Sequence, residues 1–491
     1  MNNLSSRQRK LIYAVGILLL LYPIVKLGAP MARDVNVTNK SVADGSGELA
    51  RMRVEYDLGE TTLGDIDPSS AAMNLVLLGL RGPAAGLLHL QALDYQERKE
   101  WAKLRTTVDS IIRLQPHYVQ IWKFQGWNLA FNVSREWDRV DDRFFWVKEG
   151  IKFLQAGTKR NQTVAILYHE VGDFVTRKMG ISDEKTFFRE YFRLDPDEKR
   201  FNGGPDIDIN PDGEDSFLLA YDWFVQANEK DDLFGMTGKT HVFFRQGPAK
   251  ARLSFAETRN KEGPPTTKRV NFDNEVEFDD RDGRILNTDA FWKRTRAAWD
   301  EARTEWNDSY GTYVFLGLND WKYKLNSTED DLIQLAEENG IKLEEQRNMW
   351  ARNLDMVHFR FWRDYAEAER DEVTMNAHRT LYEARRSYAE GRGYDSVDAE
   401  GKTIVSEAQL LLEEAMNRWV EVFSRFPKMV VDNEAYVEDA LLAVFYWQAV
   451  HETNGKTPPA EFPLRQLWDM KSDLRADVQR EFLLDTMRAR R

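Results

Sequence analysis

From about residue 69 onward apolar side chains recur every three or four positions through most of the chain, and runs that alternate apolar with polar residues are scarce. A period near 3.6 is the signature of amphipathic helices, whereas strands alternate at every second residue. The pattern predicts a mainly α protein with Trp, Phe and Tyr dense on the inner faces of its helices. It lapses twice. Residues 30–68 are polar, with "NKSVADGSGE" typical of a flexible stalk. Residues 235–290 mix Gly, Pro and charge, as in "KEGPPTTKRVNFDNEVEFDDRDGR", and read as an irregular loop insertion between one helical domain at 69–234 and a second at 291–455. The stretch 456–491 reads as a C-terminal capping helix, and Ser327 or Thr328 before Glu329-Asp330-Asp331 has the chemistry of a helix N-cap.

The start of the chain has a different pattern. Arg7, Arg9 and Lys10, in a tail covering residues 1–10, precede the apolar run 11–29, interrupted only by Lys26. About 20 residues cross the ~30 Å hydrocarbon core. The run reaches that length when Lys26 extends its ammonium to the interface, which its long stem permits at a helix end. Basic residues ahead of the run orient the N-terminus inside and place the bulk of the chain on the periplasmic or extracytoplasmic side of the cytoplasmic membrane. A cleaved signal peptide is the rival reading. The run is long for one, and a cut after Ala29 would leave Pro30 at the new N-terminus.

Within the helical part, Leu88, Ala92 and Tyr95 are followed 34 residues later by Trp122, Gly126 and Leu129, with Gln115-Pro116 just ahead of the second set. A displaced copy stands at Tyr168, Gly172 and Val175, and Ala415, Trp419 and Pro427 have the spacing of a second helix of the same pair. A bulky residue followed four positions on by a small one lets two helices approach closely, and Pro ends the preceding helix. This arrangement resembles the tetratricopeptide repeat. The resemblance implies an α-solenoid in which the first helix of each pair lines a concave face. In that phase Lys123, Trp127, His169 and Asp173 are expected on the exposed inner surface, a polar and aromatic set suited to a peptide. The match is imperfect, since Leu104 stands where the repeat favours Ala. The layout as a whole resembles uncharacterised single-pass membrane proteins of the planctomycete type, with "LGLRGPAAGLL" and "WNLAFNVS" as the shared landmarks. That resemblance implies no activity.

Composition narrows the chemistry. The net charge is −13 with both signs interspersed, which gives no basic footprint for nucleic acid. With no cysteine, disulfides, thiolate metal sites and Cys nucleophiles are excluded. None of the seven histidines is spaced as a helical metal pair, "HEVGD" at 169–173 lacks the second His of a zinc protease, and no nucleophile elbow or phosphate loop occurs. Nothing in the sequence asks for an enzyme.

The stretch "DIDINPDGED", 206–215, permits two readings. Asp208, Asn210, Asp212 and Gly213 match the first half of a calcium loop, which Glu214 or a remote oxygen would have to complete, because the twelfth position is Leu219 rather than Glu. The same residues suit an Asx-rich turn in which Asp215 or Ser216 caps the following helix. The functional expectation is a membrane-anchored scaffold that binds another envelope or membrane protein without catalysis, with weak calcium as the one conceivable cofactor. The alternatives are an envelope hydrolase with carboxylates in a helical cleft, or a structural spacer subunit of a membrane complex.

Overall fold

A computed structural model describes residues 81–235, 239–264, 288–432 and 434–489. The expected anchor at 11–29 and stalk at 30–68 lie outside the described residues. Among the described residues no helix is long and apolar enough to cross a membrane.

The described chain is mainly α. Helices α1 (Arg81–Glu97), α2 (Trp101–Leu114), α3 (Val119–Trp127), α4 (Val140–Arg160), α5 (Ala165–Phe174), α6 (Lys185–Arg193) and the single turn α7 (Glu198–Phe201) lead into α8 (Ser216–Phe234). The first five pack in succession, each on the next, and α5 then packs chiefly on α8 rather than on α6. The reason is legible in α2, where Leu104, Thr107, Val108, Ile111 and Leu114 form one buried stripe at helical spacing. Between α3 and α4 the backbones nearly touch. A Cβ on Gly150 would stand 2.8 Å from the Ala130 Cβ and 2.8 Å from the Gly126 carbonyl oxygen, and one on Gly126 would stand 2.8 Å from Leu154 Cγ. Only glycine allows that approach.

The expected irregular insertion at 235–290 is corrected in its first half. His241–Arg245 forms α9 and Gly247–Glu262 forms α10, and Ala249, Ala251, Leu253, Phe255 and Ala256 of α10 are buried. Gly and Pro look like breakers in "RQGPAK", yet Pro248 sits in the first turn of α10, where its missing N–H has no intrahelical partner to lose. Helix α10 packs on α8 on one side and on α11 (Thr288–Thr304) on the other. Arg259 Nε donates to Thr295 Oγ1 at 3.0 Å, and Asn260 Nδ2 to Glu369 Oε2 at 2.6 Å. The two halves are therefore continuous through α10. The rest of the expected insertion, 265–287, lies outside the described residues.

A two-residue antiparallel pair, β1 (Phe315–Leu316) with β2 (Lys322–Tyr323), precedes α12 (Glu329–Asn339), α13 (Leu343–Met356), α14 (Phe359–Glu369) and α15 (Glu372–Ala389). The second such pair, β3 (Ser396–Val397) with β4 (Thr403–Ile404), leads to α16 (Glu407–Arg425), the short α17 (Lys428–Asp432) and α18 (Glu434–Thr453). Thr328 caps α12 in a reciprocal box with Asp331, as the acidic first turn anticipates. The C-terminal segment is two helices rather than one, α19 (Arg465–Met470) and α20 (Arg475–Ala489). The turn between them lets both Leu467 and Leu474 reach the core.

Candidate groove on the first helices

Among the described residues three helices end in a widened turn. Helix α3 runs on as a π turn over Asn128–Asn132, α5 as a π turn over Val175–Gly180, and α11 as a π turn over Glu305–Tyr310. Each adds one residue to a turn and rotates the residues beyond it, a device common at functional sites. The landmark "WNLAFNVS" falls on the first of them.

Along α3 the residues Gln120, Lys123, Phe124 and Trp127 line one wall of an open groove of about 440 Å³. Glu170 and Phe174 of α5 form the other wall, and His89 and Tyr118 close one end. Trp127 is 42% exposed, and its indole stacks on Phe131 with centroids 3.9 Å apart and planes 6° from parallel. Phe174 meets Phe131 edge-on at 5.2 Å, so the exposed indole rests on a braced aromatic support. Across the groove Lys123 Nζ lies 3.0 Å from Glu170 Oε1, and Lys239 Nζ approaches the same oxygen at 3.9 Å.

Of the four residues expected on the inner surface, the structure brings Lys123 and Trp127 together on the groove wall. His169 does not share that exposure. It is 5% exposed, behind the wall, where its ring stacks on Phe244 and meets Phe224 edge-on, both at 4.8 Å. Burial, reinforced by the nearby Lys239 ammonium, pushes its pKa down to about 3. The neutral ring accepts a hydrogen bond at Nδ1 from Lys239 Nζ at 3.1 Å. Asp173 is partly buried beside the groove and pairs along its own helix with Arg177 at 3.0 Å. Burial raises its pKa, and Arg177 opposes that rise. The error for His169 is one of phase. It sits one position before Glu170, on the side of α5 that faces α8 rather than the concave face.

Sequence reasoning missed Glu170, Phe131 and Phe174. Phe131 follows Trp127 by four positions, but the π turn shifts the phase there, and nothing in the residue types announces a π turn. Glu170 stands beside His169 in "HEVGD", where the histidine is the more conspicuous residue.

The acidic loop takes the form of a capping turn. Asp215 Oδ1 accepts from the Phe217 N–H at 2.8 Å at the start of α8, and its other oxygen meets Arg189 at 2.7 Å. Asn210 is buried, and its amide is engaged at both ends. Its Nδ2 donates to the carbonyls of Phe192 and Glu214, and its Oδ1 accepts from the Glu214 N–H, each at 2.9 Å. Asp208 meets Lys152 at 3.0 Å, and Asp212 is exposed. Thus Asn210 Oδ1 is taken by the Glu214 N–H and Asp208 by Lys152. Among the described residues no three His, Asp or Glu side chains are grouped as a metal requires. Millimolar calcium is expected to move the melting temperature by less than about 1 °C, since a ligand stabilises only the state it binds. A rise of several degrees would restore the ion-binding reading of this loop.

Compared with protein-family models, with curated proteins and with solved structures, the chain has no match.

Proposed function

We propose that this chain is a helical-repeat scaffold, held to a membrane by residues 11–29, whose groove on α1, α3 and α5 takes a segment of another envelope protein. The observation that carries the proposal is Trp127, a large aromatic left 42% exposed on a rigid aromatic support beside an ion pair. Tryptophans so placed dominate the energetics of protein interfaces, because they bury much area with little loss of side-chain freedom. The helix pairs α1/α2, α3/α4 and α5/α8, with Gly126 at the approach of α3 to α4 and Gly172 against Phe224 of α8, support the likeness to tetratricopeptide repeats, although α5 pairs with α8 rather than with the next helix. In that likeness the first helices face the ligand.

The hydrolase alternative asks for unpaired carboxylates facing each other across a cleft. In the pocket that holds Asp289, Glu383 and Glu407, each acid instead meets an arginine. Arg379 reaches Asp289 at 2.6 Å and Glu383 at 2.8 Å, and Arg392 reaches Glu407 at 2.7 Å. Charge-neutralised pairs of this kind suit architecture better than proton transfer, which favours the scaffold.

The test is affinity purification of the full-length protein from gently solubilised membranes, wild type against Lys123→Ala with Trp127→Ala. A stoichiometric partner of the wild type should fall about tenfold or more in the double variant, as hot-spot removal implies. Equal recovery with both would remove the groove from this role.

A further inference from the structure

One carboxylate in the groove serves two ammonium groups. Lys123 Nζ reaches Glu170 Oε1 from α3 at 3.0 Å, and Lys239 Nζ approaches the same oxygen at 3.9 Å from the segment that precedes α9. Among the described residues neither lysine has another carboxylate within ion-pair distance. Asp173, the next acid along α5, is engaged by Arg177 at 3.0 Å. Three cations, Lys123, Lys239 and Arg177, therefore face two carboxylates, and this cluster is positive in a chain whose net charge is −13. Lys239 is also held in place. Its Nζ donates to Nδ1 of the neutral His169 at 3.1 Å, and that ring is packed against Phe224 and Phe244. The buried histidine is thus a positioning residue, which fixes an ammonium at the groove wall without neutralising it.

The Lys123 and Lys239 side chains are 30% and 28% exposed, so a ligand in the groove can reach both ammonium groups, and water screens that contact only in part. We propose that the groove selects an acidic segment, in which the carboxylate of an aspartate or glutamate side chain joins Glu170 beside Lys123 and Lys239 while its neighbour in the segment lies on the Trp127–Phe131 platform. The proposal rests on the groove reading above and adds the chemistry of the occupant. One surplus positive charge matches one carboxylate better than a doubly charged phosphate, and it repels a basic segment.

The probe is acetyl-Phe-Glu-amide against its uncharged twin acetyl-Phe-Gln-amide, titrated into the full-length chain by ligand-observed NMR. The Glu probe should bind about fivefold more tightly, as a partly exposed ion pair implies. Lys239→Met should bring that ratio below about twofold. Glu170→Gln keeps the shape of the wall and frees both lysines, so it should tighten the Glu probe severalfold and leave the Gln probe unchanged. Equal binding of the two probes, binding of neither, a preference that survives Lys239→Met, or a Glu170→Gln variant that holds the Glu probe no more tightly than the wild type overturns the proposal. The two readings fail separately, because neither Lys239 nor Glu170 is changed in the partner test. If partner recovery is insensitive to Lys123→Ala with Trp127→Ala, the groove falls. If recovery is sensitive but the probes are not distinguished, the groove stands and the preference for an acidic segment falls.

Discussion

Lys148→Met is expected to cost roughly 3–5 kcal/mol of stability, because it leaves the buried Asp195 without its counter-charge and Asp206 with Lys152 alone. Lys148 projects from the middle of α4 and pairs with Asp195, between α6 and α7, and at 3.1 Å with Asp206, in the loop that joins α7 to α8, all three side chains being buried. Its ammonium also lies over the Phe201 ring at 4.5 Å and the Phe144 ring at 5.3 Å. Lys152, one turn on, reaches the same Asp206 at 2.8 Å and Asp208 at 3.0 Å. The network pins the acidic loop against α4. Burial would raise the pKa of Asp206, but the bonds from Lys152 and Lys148 outweigh it and hold the carboxyl below its usual value. The stabilisation from that carboxylate is present above its unfolded pKa and is lost as pH falls through the lower folded one. Chemical denaturation read by hydrogen exchange over residues 140–234 would measure the effect. A loss below about 1 kcal/mol would mean that water already reaches these charges, since exposed pairs contribute no more than that.

The second large effect is acid-induced and centres on His169. Its folded pKa of about 3 lies well below the ordinary value near 6.5. Above pH 6.5 the ring is neutral in both folded and unfolded chains and adds no pH dependence. Below it the unfolded chain takes up the proton and the folded one does not, so stability falls by about 1.4 kcal/mol per pH unit down to about pH 3. At pH 4.5 the loss is about 2–3 kcal/mol. His169→Gln should flatten this part of the profile, and parallel melting curves for variant and wild type between pH 7 and 4.5 would refute the assignment. His378 works in the opposite sense. Burial alone would lower its pKa, but Glu369 at 3.2 Å and Asp439 at 3.7 Å hold it raised. Its contribution is present below the unfolded pKa and is lost as pH rises through the folded one, which is why a single-site variant, rather than the wild-type profile, isolates His169.

The helical class is readable from periodicity alone, and so are the Thr328 box and the Asp215 cap, because each depends on residues within four positions of one another. Gly126 is readable too, as a small residue at fixed spacing from Trp122, and a Cβ there would indeed meet Leu154. Helix α10 escapes such a reading because Gly247 and Pro248 weigh as breakers, when both are at home in a first turn. The burial of His169 depends on Phe224 and Phe244, which lie more than fifty positions away, and no local pattern carries that information. The groove is half legible. Lys123 and Trp127 share one helical turn, but Phe131, Glu170 and Phe174 join them only through the π turn and the packing of α3 on α5.

The packing order has a mechanical corollary. The strongest helix contacts join elements one to three places apart in sequence, and the Gly126–Gly150 contact locks only α3 to α4. Tension applied between Arg81 and Ala489 would load these contacts in series rather than in parallel, so the chain should lengthen by peeling one helix pair at a time, with the weakest junction yielding first. A body of that kind extends under strain and recoils when released, because the partners each helix must find again remain close by in sequence.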